Sequence, residues 1–200
     1  MEHMKKIGLF GGTFNPIHIG HLKMAEAARK EYKLSCVYFI PCGIPPHKTN
    51  IVESYRGMPL SAKSRYKMVK KAIKGKKHFK VLDVEIRRKK KAYTIDTVKQ
   101  FVKSVGNGRD HSLRQLYFLI GADEFEKLHT WNRPNELAKL VIFLVLPRPS
   151  KNIKVPKIKD LKWHLVHTKP INISSTEIKE KLKKGKSVKS LIPTSLRFSL

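Results

Sequence analysis

Two glycines, Gly11 and Gly12, are followed by two histidines three residues apart, His18 and His21, in the run Gly11-Gly12-Thr13-Phe14-Asn15-Pro16-Ile17-His18-Ile19-Gly20-His21. Glycines leave backbone N–H groups bare enough for an anion to approach, and histidine rings add side-chain donors. A helix beginning at His21 turns its free amides and positive dipole end toward the same space. Together these residues suit the chemistry of a phosphate cradle. A plainer reading takes the HxxH pair as one face of a helix or as half of a zinc site. Zinc needs further ligands, and Cys36, Cys42 and His47 form no CxxC and lie across a predicted strand, so no protein metal site is expected. Pro16 bars helix through His18 and so presents that histidine on a loop.

The elements that must position this cradle alternate along the chain. Residues 5–10 read as a buried strand, 21–32 as a helix with Met24, Ala25 and Ala28 inward, and 36–40 as the second strand. Residues 41–55 read as loop, 61–73 as a helix capped by Ser61, 79–83 as a strand, and 94–105 as a helix opened by Thr94 or Asp96 and ended by Gly106-Asn107-Gly108. The apolar runs 116–120 and 141–146 have the length and character of central parallel strands. Two short helices broken near Pro134 lie between them; a last strand is expected at 165–167 and a helix at 175–184, ended by Gly185. Residues 147–162 read as a surface excursion. This alternation predicts a single α/β domain over residues 1–200, a Rossmann-like doubly wound parallel sheet with helices on both faces. Ligands of such sheets bind beyond the carboxyl ends of the strands, so residues 11–21, 41–48, 121–123 and the segment before Ser175 should meet at one edge.

Residues 11–22, GGTFNPIHIGHL, resemble the signature of the nicotinate mononucleotide adenylyltransferases, within the nucleotidyltransferase superfamily marked by (H/T)xGH. Pantetheine-phosphate and glycerol-phosphate nucleotidyltransferases share the glycines and the xGH, so the second substrate is read from four further segments in the family's order. Pro45-Pro46-His47-Lys48 resembles its PPHK loop. Leu82-Asp83-Val84-Glu85-Ile86-Arg87-Arg88 with Ala92-Tyr93-Thr94-Ile95-Asp96-Thr97-Val98 resembles E(I/L)xR…SYTxDTL. Ile120-Gly121-Ala122-Asp123 with Trp131 resembles GxD…W, and Ile173-Ser174-Ser175-Thr176-Glu177-Ile178-Lys179 resembles ISSTxIR.

The resemblance implies an enzyme that transfers AMP from ATP to nicotinate mononucleotide, giving deamido-NAD and pyrophosphate in NAD biosynthesis. His18 and His21 would be the catalytic pair. Gly11, Gly12, Thr13, Phe14, Lys48, Ser174, Ser175, Thr176 and Lys179 would bind ATP. Tyr93, Thr94, Asp123 and Trp131 would bind the acceptor, with the nicotinate carboxylate at the Tyr93-Thr94 amides and the ring on Trp131. Mg²⁺ bridging the ATP phosphates is the implied cofactor, held by nucleotide and water. By residue type alone, Lys48 reads equally as an exposed lysine, and Thr94, Asp123 and Trp131 as helix caps. The same fold acting on nicotinamide mononucleotide or another phosphate monoester is the alternative.

The sequence departs from the family's pattern at several places. Lys179 replaces an arginine and loses its bidentate fork, Asn132 stands where an aromatic is common, and Lys89-Lys90-Lys91 replaces a glycine-rich turn. Past Leu191-Ile192-Pro193 the chain ends at Leu200, with room for about two helical turns.

The formal charge of +28 draws anions, and ATP, a mononucleotide and nucleic acid all qualify. The basic residues are dispersed and aromatics among them are sparse, so a nucleic-acid-binding protein is the weaker reading and no specific nucleic acid is expected. No segment approaches the ~20 apolar residues of a membrane span, the first residues lack a signal peptide's apolar region, and two cysteines agree with a reducing compartment. A cytoplasmic location is therefore expected. A homo-oligomer is compatible with all of this.

Overall fold

The apolar run Ile7-Gly8-Leu9-Phe10 is buried, and the chain there forms β1, Lys5–Gly12, which feeds the glycine turn. The computed structural model describes residues 5–44, 54–55, 58–59, 61–88, 91–105, 114–148, 152–169 and 171–197. Its further strands are β2 (Cys36–Pro41), β3 (Ser54–Tyr55), β4 (Met58–Pro59), β5 (Phe79–Val81), β6 (Arg114–Gly121), β7 (Ile142–Leu146) and β8 (Trp163–Leu165). Six strands form one parallel sheet in the order β5-β2-β1-β6-β7-β8, and β3 pairs with β4 as a separate antiparallel hairpin. The winding direction reverses between β1 and β6, which opens a crevice beyond their carboxyl ends.

The helices are α1 (Ile19–Glu31), α2 (Ala62–Ala72), α3 (Thr94–Val105), α4 (Ala122–Glu126), α5 (Pro134–Leu140) and α6 (Ser175–Lys183). Leu22, Ala25, Met68, Val69 and Ile178, from α1, α2 and α6, cover one face of the sheet. Ile95, Val98, Phe101, Phe125 and Leu137, from α3, α4 and α5, cover the other. The expected doubly wound sheet with helices on both faces is the observed one. Each large buried side chain contributes about 1.5–3 kcal/mol, so the loops at the crevice hang from a scaffold anchored on both sides.

The local signals act as expected at two caps. Ser61 accepts from the Ser64 amide at 3.1 Å to start α2. Gly185, at φ 65°, follows the end of α6. Four expectations need correction or extension. Helix α1 begins at Ile19, two residues early, because His18 in extended conformation serves as its N-cap. The inward face of α1 includes Leu22, which was not expected there, beside Ala25, Ala28 and a half-buried Met24 packed against the same core. The last strand is Trp163–Leu165 and not 165–167, since its ladder on β7 runs from Phe143↔Trp163 to Val145↔Leu165 and Trp163 packs on Phe125. Residues 152–161, expected as a surface excursion, are anchored by buried Pro156 and by Ile153, Ile158 and Leu161 against the core. Within the span read as loop, the β3–β4 hairpin begins. The PPHK segment with Lys48, Lys89-Lys90 and Gly106-Asn107-Gly108 lie outside the described residues.

Candidate active site

Beyond β1 the chain turns sharply, and Phe14 adopts φ 47°, a left-handed conformation that costs a bulky residue of order 1–3 kcal/mol. Its ring compensates by burial, packing on Phe10 and Phe39 at centroid distances of 5.5 and 5.7 Å. The same ring meets His21 edge-on at 5.0 Å, and His18 stacks on the other side of His21 at 3.7 Å. Gly20 makes room for this stack, since a Cβ there would lie 2.9 Å from Nδ1 of His18.

Hydrogen bonding fixes what each histidine offers. The His18 amide donates to Nδ1 of His21 at 3.2 Å, which leaves the ring proton of a neutral His21 on Nε2. Nδ1 of His18 is buried and has no hydrogen-bond partner among the described residues. Burial, reinforced by the Arg148 charge and opposed by Glu177, lowers His18 from 6.5 to about 4. Burial, then His18 and Arg148, hold His21 well below the ordinary value. Both rings are therefore neutral at pH 7, and each can donate one N–H without carrying charge.

The histidines open on a cavity of about 320 Å³ bounded by Gly11, Gly121, Arg148 and the first turn of α6. Three hydroxyls in a row at that turn divide their work. Ser174 caps the helix by accepting from the Glu177 amide at 3.0 Å. Ser175 Oγ donates to the Pro16 carbonyl at 3.0 Å and ties α6 to the histidine turn. Thr176 is exposed at the cavity wall. Arg148, just after β7, pairs through Nε with Asp123 at 2.7 Å. A helix N-terminus, two histidine donors and a guanidinium converge there, which is a site for a polyanion.

A second cavity, of about 310 Å³, shares Gly11 and Gly121 with the first and has a different lining. Ile40, Phe118 and Ile120 make it apolar, and Tyr93, Thr94 and Trp131 stand along it. Trp131 packs edge-on against Phe118 at 6.1 Å. Its position relative to Thr94 is held by ion pairs between α3 and the start of α5, Arg133 with Asp96 and Lys99 with Glu136. This slot suits a flat ring with a polar end.

Of the residues singled out from sequence, His18, His21, Gly11, Ser174, Ser175 and Thr176 meet at the first cavity. Tyr93, Thr94 and Trp131 meet at the second, as do Gly12 and Thr13, which were expected at ATP. Phe14 is 2% exposed and shapes the turn from within the core. Asp123 lines neither cavity and holds Arg148 instead; Lys179, half-buried on α6, also lines neither. Sequence reasoning missed Arg148, whose Leu-Pro-Arg-Pro context has no motif of its own. It also missed Arg65 and Cys42, and it matched Glu85 to a motif without giving it a task.

Comparison with known proteins agrees with this geometry. The cytidylyltransferase-like family model matches residues 9–181. The "Probable nicotinate-nucleotide adenylyltransferase" of Desulfitobacterium hafniense strain Y51 is 38% identical over 206 residues, covering 97% of this chain and 92% of its own. The protein of the same name from Shouchella clausii strain KSM-K16 is 40% identical, covering 94% of this chain and 90% of its own. Among solved structures, the Plasmodium falciparum nicotinic acid mononucleotide adenylyltransferase complexed with NaAD superposes with a TM-score of 0.73 at 19% identity, covering 97% of this chain and 94% of that one, which speaks to the fold.

Proposed function

The chain belongs to the cytidylyltransferase-like family and, within it, to the nicotinate-nucleotide adenylyltransferases, and from that premise we infer that it transfers the adenylyl group of ATP to nicotinate mononucleotide in NAD biosynthesis. The observation that carries this reading is the pair of cavities joined at Gly11 and Gly121, one built for a polyanion and one for a flat ring. Two phosphorylated substrates placed in them bring their phosphates together over the glycine turn.

The acceptor's phosphate oxygen attacks the α-phosphorus of ATP. A new P–O bond forms, the bond from the α-phosphorus to the bridging oxygen breaks, and pyrophosphate leaves with that electron pair. The acceptor phosphate is already ionised at neutral pH, so the chain supplies no nucleophile and no strong base. It supplies alignment and donors for the charge that develops. Nε2–H of His21 and the ring N–H of His18 are the pre-aimed donors, with the first amides of α6 and Arg148 behind them. An anion against these neutral rings raises their proton affinity, so the site gains positive charge where the triphosphate lies.

Lys48 is assigned to the phosphates on its PPHK context alone. Lys179 is assigned a weaker, long-range role. Tyr93 and Thr94 receive the nicotinate carboxylate, and Trp131 stacks on the ring. Mg²⁺, held by the nucleotide and water, would come with the ATP phosphates and would offset their charge. No described helix is long and apolar enough to cross a membrane. The cytoplasm, where ATP and thiol-reducing conditions coexist, is the proposed location. The +28 charge favours arrival of both anionic substrates.

An assay following pyrophosphate and dinucleotide from ATP with either the acid or the amide mononucleotide tests the reading. Deamido-NAD is the expected product. Turnover of the amide alone, or of neither, overturns it.

A further inference from the structure

Arg65, on α2, is 1% exposed and among the largest fully buried side chains of the molecule. Its guanidinium donates to the Thr13 carbonyl at 2.7 Å and to the Gly43 carbonyl at 3.1 Å. Those carbonyls belong to the loops that leave β1 and β2. Glu85, 8% exposed, holds Gly43 from the other side, its carboxylate accepting from the Gly43 amide and from the Cys42 thiol. Contact is close enough to demand glycine, since a Cβ on Gly43 would lie 2.2 Å from the Glu85 carbonyl oxygen. Thr97 Oγ1, on α3 and 1% exposed, donates to Glu85 at 2.9 Å and accepts from Arg88 at 3.1 Å. One continuous polar chain thus runs Arg88, Thr97, Glu85, Gly43, Arg65, Thr13. It connects the helix that begins at Thr94 to the glycine turn.

A guanidinium and a carboxylate buried on either side of Gly43 each lose hydration, which their hydrogen bonds to the loop backbone and to Thr97 offset. Thr13, Cys42 and Glu85 all face the second cavity, and none faces the first. We propose that Arg65 and Glu85 are positioning residues that clasp Gly43 and set the width of the acceptor slot between the β1 and β2 loops and the start of α3. This inference rests on the adenylyltransferase reading for its substrate and on geometry alone for the clasp.

Thr97 gives the cleanest test because it touches Glu85 without lining the slot. In the full chain, Thr97→Val removes the hydroxyl that holds Glu85, and Thr97→Ser keeps it. Thr97→Val is expected to raise KM for nicotinate mononucleotide about 10-fold, the scale of one buried hydrogen bond to a charged group, with KM for ATP within about 2-fold and Thr97→Ser near wild type. In a Cys36→Ser background, Glu85→Gln is also expected to alkylate faster at Cys42 with iodoacetamide, because the carboxylate that accepts from the thiol is replaced by a neutral amide. An unchanged acceptor KM, an equal loss for both substrates, failure of Thr97→Ser to restore, or a wild-type alkylation rate each overturns the clasp. Should the wild-type chain make no dinucleotide, the adenylyltransferase reading fails, and the alkylation rates still decide for or against the clasp.

Discussion

The two cavities at the crevice are nearly equal in volume, about 320 and 310 Å³, and share the backbone of Gly11 and Gly121, yet their linings differ in kind. The histidine cavity offers charge and donors: the α6 amides, two neutral rings and Arg148. The tryptophan cavity offers shape: apolar walls from β2 and β6, an edge-on aromatic pair, and a polar rim that includes Thr13, Cys42 and Glu85. Polyanions are gripped wherever donors converge, while a flat ring is recognised only if the walls stand at the right separation. Substitutions in the first cavity should therefore alter turnover, and those in the second should alter acceptor binding.

The largest expected break is at the histidines. Removing one pre-aimed donor costs ~10²–10³ in rate, so His18→Ala or His21→Ala should lower kcat by that factor with the fold intact by circular dichroism and the acceptor KM little changed. Near-normal kcat in both variants would dissolve the distinction between the cavities.

Trp131→Ala sharpens the comparison from the other side. Stacking of a ring on an aromatic is worth ~1–3 kcal/mol, so KM for nicotinate mononucleotide should rise about 10-fold or more while ATP binding by calorimetry stays nearly unchanged. Losing a charge-assisted contact at the Tyr93-Thr94 amides should set the amide mononucleotide about 10-fold below the acid in kcat/KM.

Arg148 and Lys179 test which cation the polyanion meets. Arg148→Met, at the cavity wall, should raise KM for ATP several-fold and flatten its salt dependence. Lys179→Met should change it by less than about 2-fold, as expected of a charge lining neither cavity. The reverse order would move the phosphates toward the middle of α6.

The smallest effect is on stability. His18 titrates near 6.5 when unfolded and about 4 when folded, so between those values the unfolded chain binds more protons. The folded state's advantage is complete above pH 6.5 and is lost as pH falls toward 4; His21 acts in the same direction. Melting temperature should fall across that window, and less steeply in His18→Gln.

How legible these cavities were in sequence follows from the range of the interactions. The polyanion cavity is built from short motifs at the ends of strands. His18 and His21 follow a glycine pair and sit one turn apart, so residue type and spacing pointed to them, while Ser174 was reached through its resemblance to the family's ISSTxIR segment. The tryptophan cavity was legible at its lining, Tyr93, Thr94 and Trp131, through the family's segments. Its support was not. Arg65 reaches Thr13 across 52 residues of sequence, and no local pattern distinguishes a lysine-rich helix that buries an arginine from one that exposes it. The pairing of Asp123 with Arg148 was not legible either, because the two follow different strands and only the parallel pairing of β6 with β7 brings them together. The fold itself was readable because apolar runs and alternation are local; the boundary errors at α1 and β8 came from a cap and a ladder, which depend on neighbours.

Ser175 bonding back to Pro16 joins residues 159 apart, and that span has a meaning in time. As the chain leaves the ribosome, every described residue lining the tryptophan cavity is present once residue 132 has emerged, while the histidine cavity waits for residues 171–176. At ~5–20 residues per second the interval is a few seconds. Trp131 gains its ion-paired support from α5 only once residue 136 has emerged, and the histidine cavity gains its α6 wall later still, so the two cavities are completed in order along the chain.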